Sequence, residues 1–172
     1  MAFPSRYEDR GVGYSAMYRH NDQKEYPKRK GPRLKGYNYH TPGYYFVTIC
    51  THEKQCLFWS GGKLNQFGKI ADDAVAEISL HGPGVKVEKF VVMPNHIHMI
   101  VILENDQQDL SVVIGQYKAY VSKQIHAFLP ERKIWQVSFH DHKIRSQSQY
   151  EKIWMYIENN PKKWEMDCFY QK

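Results

Sequence analysis

The order of strand-like and helix-like runs in this 172-residue chain predicts an α+β fold built on one four-stranded antiparallel sheet. Three observations carry that expectation. An aromatic and β-branched run opens the regular part of the chain after Gly43. Two further runs, 85–93 and 96–103, are separated only by Pro94 and Asn95. Helical periodicity fills the stretches on either side of that pair.

Each element has its own local reason. Residues 43–51, GYYFVTICT, combine aromatic and β-branched side chains and read as the first strand. The run 64–80 places Phe67, Ile70, Ala74 and Ile78 at helical spacing, and Gly82, Pro83 and Gly84 stop it. The next two strands, VKVEKFVVM and HIHMIVIL, flank a Pro-Asn pair that suits a tight antiparallel hairpin. Over 110–129, Val113, Tyr117, Tyr120, Val121 and Phe128 mark a second helix closed by Pro130. Residues 135–144 read as the fourth strand. Ser146 and Gln149 then form an S-x-x-Q capping box for a last helix, which Asn159, Asn160 and Pro161 end. The order β, α, β, β, α, β is that of a ferredoxin-like split βαβ unit: helices on one face, an extra C-terminal helix, and the other face left free for a ligand.

Composition narrows the classes further. Hydrophobic residues make up 42% of the chain and aromatic residues 15%, including thirteen Tyr, which is enough for one core and argues against disorder throughout. The three cysteines contain no CxxC pair, so neither a disulfide framework nor a thiolate zinc site is expected, and a cytoplasmic setting fits. No apolar run approaches a bilayer span, so no membrane association is expected.

The net charge of +6 is concentrated. Residues 1–35 hold Arg6, Arg10, Arg19, Lys24, Lys28, Arg29, Lys30, Arg33 and Lys35 against Glu8, Asp9, Asp22 and Glu25. They read as a basic arm preceding a domain over 36–172. Tyr7, Tyr14, Tyr18 and Tyr26 interleave with the cations, a composition suited to phosphates and stackable bases. A solubilising tail would have the same composition.

His96 and His98 stand two apart on a strand, so both imidazoles project from one face with Cα atoms about 7 Å apart, within reach of one divalent ion. Ordinary sheet histidines also occur at this spacing. Tyr150 lies in the first turn of the last helix, in phase with Ile153, Trp154 and Ile157, where the helix dipole favours a phenolate.

The runs VVMPNHIHMIVIL and WQVSFHDHKIRSQSQYEKIWMYIENNPKKW resemble the REP-associated tyrosine transposases, a branch of the single-tyrosine HUH endonucleases. Weaker likeness in RLKGYNYHTPGYYFVTICT and LNQFGKIADD extends the resemblance over roughly 33–164. It implies that His96 and His98 hold a divalent metal, Mg²⁺ or Mn²⁺, and that Tyr150 is the nucleophile. It further implies a single-stranded DNA substrate cut beside hairpins through a 5′-phosphotyrosine, with the protein acting as a monomer or homodimer. Arg29, Lys30, Arg33, Lys118, Lys123, Lys143 and Arg145 are candidate phosphate contacts. One departure stands out. Some relatives place a polar ligand one turn after the nucleophile, and one turn after Tyr150 is Trp154, which leaves Glu151, His140, Asp141 or His142 as substitutes.

Three other readings compete. A histidine-triad hydrolase needs a third histidine where Ile100 stands. A binding-only module of RNA-recognition type would stack bases on Tyr44, Tyr45 and Phe46. A domesticated transposase that binds without mobilising DNA would keep the same site residues.

Overall fold

The computed structural model describes residues 38–170; the expected arm over 1–35, with Arg29, Lys30 and Arg33, lies outside the described residues. Strand β1 spans Gly43–Cys50. A short hairpin follows, β2 over Trp59–Ser60 and β3 over Lys63–Leu64, turned by Gly61 and Gly62 at φ 58° and 76°. Two adjacent left-handed positions suit glycine, which has no Cβ to clash.

Helix α1 spans Gln66–His81. It starts at Asn65, whose side chain accepts from the backbone N–H of Phe67 and Gly68. Strands β4, Val85–Val92, and β5, His96–Leu103, form the expected hairpin about Pro94 and Asn95. Helix α2, Leu110–His126, is capped by Asp109. The expected fourth strand shortens to β6, His140–Ile144; Trp135 at its proposed start makes only an isolated bridge to Thr51. Helix α3 spans Gln147–Asn159 and a 3-10 helix covers Pro161–Met166. Ser146 caps α3 through Gln149 N–H, but the Gln149 side chain accepts from Arg145 N–H, one residue before the position a reciprocal capping box requires.

The sheet order is β4-β5-β1-β6 with every neighbouring pair antiparallel, which is the ferredoxin-like arrangement expected from the sequence. Alternation along the strands then sorts the side chains. Tyr45, Val47 and Ile49 of β1 and Ile97, Met99, Val101 and Leu103 of β5 join α1 and α2 in the larger core. The opposite face is not free. Phe46, Ile100 and Ile144 pack there against Ile153 and Ile157 of α3. Because α3 presents Ile153 and Ile157 one turn apart, its apolar stripe seals the middle of the sheet.

Candidate metal and nucleophile site

Strand register decides which polar side chains share the α3 face. His98 lies opposite Thr48 and His96 opposite Cys50 across the β1–β5 ladder. Both histidines are fully buried. Their Nε2 atoms are 2.9 Å apart, close to the roughly 3 Å separating two nitrogens bound at right angles to one ion at about 2.1 Å. Each ring is held from behind, by Asn95 Oδ1 at 2.8 Å from His96 Nδ1 and by Thr48 Oγ1 at 2.8 Å from His98 Nδ1. Such partners behind a ligating imidazole orient the ring. Burial, with the Lys54 charge nearby, lowers the His96 pKa to about 3. Burial, then His96, holds His98 well below the usual imidazole range against an opposing pull from Asp167. Both rings are therefore neutral at pH 7, the form that binds a metal.

Two groups complete the cluster. Asp167, just beyond the 3-10 helix, brings a carboxylate oxygen within 4.8 Å of the ligand atoms of both histidines. Tyr156 of α3 has its hydroxyl 3.2 Å from His98 Nε2 and donates to Asp167 Oδ2 at 2.9 Å. Asn160 lies four residues after Tyr156, about 40° round the helix and so on the same face. It is buried, and neither atom of its amide has a hydrogen-bond partner. A buried amide in that condition costs about 1–3 kcal/mol, a cost that a ligand to its oxygen would relieve. With two imidazoles and a carboxylate to draw on, the donor set fits a divalent cation of the Mn²⁺ or Mg²⁺ kind.

The other expected site residues are dispersed. Tyr150 packs edge-on against Tyr44, ring centroids 5.9 Å apart, and beside Trp154. Tyr44 is four residues from Thr48 along β1, about 13 Å from the histidine end of the sheet. The structure therefore brings Tyr156, and not Tyr150, to the histidines. Of the substitute ligands, Asp141 projects to the other face, where Tyr39 donates to it at 3.0 Å. Glu151 accepts from Gln147 on the exposed surface of α3. His140 and His142 share the α3 face but lie on the edge strand, outside the cluster. Asp167 was not among the sequence candidates, because an aspartate beyond the last helix that the spacing predicts carries no periodic signal.

The candidate phosphate contacts do not converge either. Lys118 donates to the Gln136 carbonyl at 2.6 Å, and Lys143 donates to the Pro42 carbonyl and sits over the Tyr45 ring. Lys123 and Arg145 are exposed. Tyr45 and Phe46 are buried in the two cores, so the sheet face offers no platform for stacked bases of the RNA-recognition kind. Beside His96, a groove of about 610 Å³ is lined by Trp59, Pro94, Lys162, Lys163 and Trp164.

Residues 44–160 match the family described as IS200-like transposases. The chain belongs to the IS200-like transposase family. It is 32% identical over 167 residues to an uncharacterised protein of Haemophilus influenzae, covering 83% of this chain and 93% of that one. The fold is shared with a solved REP-associated tyrosine transposase bound to a REP hairpin, at 24% identity and TM-score 0.60, over 78% of this chain and 75% of the other. A transposase of Deinococcus radiodurans, assigned by inference, superposes with TM-score 0.51 at 17% identity, over 74% of this chain and all but 3% of its own. Membership in this family gives the IS200-like chain a transposase-type action on DNA. Among the described residues no helix is long and apolar enough to cross a membrane.

Proposed function

We propose that this IS200-like protein is a metal-dependent single-stranded DNA transesterase that cuts and rejoins strands beside hairpins through a 5′-phosphotyrosine, with Tyr156 as the nucleophile. The observation that carries the reading is the Tyr156 hydroxyl, 3.2 Å from His98 Nε2 and donating to Asp167. Taking Tyr156 in place of Tyr150 also removes the departure noted in the sequence. One turn after Tyr156 stands Asn160, an oxygen donor, whereas one turn after Tyr150 stands Trp154.

His96, His98 and either Asp167 or Asn160 would hold the cation. When bound it supplies positive charge to the oxygens of the scissile phosphate. Tyr156 Oη attacks the phosphorus, a bond forms between them, and the bond from phosphorus to the 3′ oxygen breaks. The phenol proton passes to Asp167, and the same proton, returned from the Asp167 carboxyl directly or through water, protonates the departing 3′ oxygen, which leaves as a hydroxyl. Because one phosphodiester replaces another, a second 3′-hydroxyl can attack the phosphotyrosine and rejoin the strand. The groove lined by Trp59, Trp164, Lys162 and Lys163 suits a flanking nucleotide by stacking and charge. A monomer would suffice for this chemistry, since every group of the cluster comes from one chain.

The test is to incubate the protein with a labelled single-stranded oligonucleotide carrying a hairpin and Mn²⁺, then digest with trypsin. Cleavage after Arg145, Lys152 and Lys162 puts Tyr150 in the peptide 146–152 and Tyr156 in the peptide 153–162, each with no other tyrosine. The label is expected on 153–162. Label on 146–152 would return the nucleophile to Tyr150, and the absence of any adduct would overturn the enzymatic reading.

A further inference from the structure

Asn95 sits in the hairpin turn directly before His96 and is fully buried. Its Nδ2 donates to two main-chain carbonyls, Lys54 O at 3.0 Å and Phe169 O at 2.8 Å. Carbonyls only accept, so both amide hydrogens are committed and the orientation of the amide is fixed by its partners. Asn95 Oδ1 is left facing His96 Nδ1 at 2.8 Å, and an amide oxygen can only accept. His96 must then carry its proton on Nδ1, which leaves Nε2 as a lone pair directed at His98.

We infer that Asn95 is a positioning residue that sets the tautomer of His96, holding its Nε2 deprotonated and aimed into the site. The surroundings reinforce the amide. Its own carbonyl accepts from Thr51 N and Thr51 Oγ1, both at 2.9 Å. Glu53 and Lys54, both non-glycine residues, take left-handed φ values of 53° and 55° in the turn that turns the Lys54 carbonyl toward Asn95. Conformations of that kind cost about 1–2 kcal/mol per residue and persist where the surroundings impose them.

His98 has no such lock. Thr48 Oγ1 can donate to His98 Nδ1 or accept from it. Without a cation, His98 Nε2–H donates to the His96 lone pair across 2.9 Å. With one, Thr48 would accept from Nδ1–H, leaving both Nε2 lone pairs available to hold the cation. The pair is thus asymmetric: one ring is fixed in the ligand form and the other can switch. The consequence for a cation rests on the function proposed above; the tautomer of His96 does not.

The experiment is a long-range ¹H–¹⁵N spectrum of the histidine rings in the full-length, metal-free protein, with Mn²⁺ titration followed by electron paramagnetic resonance. Wild type is expected to show His96 as the Nδ1–H ring. Asn95→Leu removes acceptor and donors together and is expected to move His96 to the Nε2–H form and to weaken Mn²⁺ binding about 10–100-fold. Asn95→Asp restores the acceptor alone and is expected to restore Nδ1–H and Mn²⁺ affinity. A wild-type His96 protonated on Nε2 would overturn the inference, whether or not Asn95→Leu folds, as would Asn95→Leu with an unchanged tautomer. Wild type with the Nδ1–H ring but no Mn²⁺ binding would uphold the inference and reject the cation reading instead.

Discussion

Replacing Tyr156 with Phe removes one oxygen and keeps the ring, so its two consequences can be calculated separately. The ring packs edge-on to Phe46 at 6.1 Å and lies 5.1 Å from His98, contacts that Phe retains. The lost hydroxyl removes one hydrogen bond to Asp167 and one approach to His98. Asp167 keeps its bond from Phe169 N–H at 2.7 Å and is only half-buried, so it is not stranded. The expected loss of stability is then about 1–2 kcal/mol, or a fall in Tm of roughly 2–8 °C for a domain of this size. Covalent attachment to DNA should vanish altogether. Tyr150→Phe is the matched control. Six residues separate it from Tyr156 on α3, about 9 Å along the axis and roughly 120° around it, so the two hydroxyls cannot serve one phosphate. Tyr117→Phe is a second control, because its hydroxyl donates to Ala71 O in the core on the other face of the sheet. The assay is a denaturing gel of protein incubated with labelled oligonucleotide and Mn²⁺, alongside thermal melts. Adduct retained in Tyr156→Phe and lost in Tyr150→Phe would refute the geometric argument.

Other perturbations have equally definite outcomes. Asp167→Asn keeps the size of the Tyr156 partner but removes the proton acceptor, and should slow attachment by at least about 100-fold while the melt changes little; an unchanged single-turnover rate would exclude Asp167 from proton transfer. The metal-free protein should lose stability in acid. His96 has a folded pKa of about 3 against 6.5 when unfolded, so between those values the unfolded chain binds a proton that the folded one does not. Stability is complete above pH 6.5 and falls below it by up to about 1.4 kcal/mol per pH unit for each such histidine, and a flat urea midpoint from pH 7 to 5 would contradict this. Gly68→Ala would set a Cβ 2.2 Å from the Phe58 carbonyl oxygen, and urea midpoints should show a loss of about 1–3 kcal/mol, an unchanged midpoint contradicting the close approach of α1 to Phe58. Deleting residues 1–35, which hold nine of the 24 lysines and arginines, should flatten the salt dependence of DNA binding; an equal slope would deny the arm a role in binding.

The sequence by itself determined the sheet and the histidine pair, because both are local. Alternation, a Pro-Asn turn and two-residue spacing are written in consecutive residues, and they place β4, β5, His96 and His98 wherever the rest of the chain goes. Helix α3 was legible for the same reason, through its Ser146 cap and the spacing of Ile153 and Ile157. What spacing could not decide was where along the sheet α3 comes to rest. Tyr150 and Tyr156 both touch the sheet, and only the packing of α3 on Phe46 and Ile100 settles that the second, not the first, reaches His98. Tertiary structure alone also brought in Asp167, 69 residues from His98 in the chain, and turned Asp141 to the far face through a register fixed by hydrogen bonds between strands. These are contacts between distant segments, set by docking free energy that no window of neighbouring residues records.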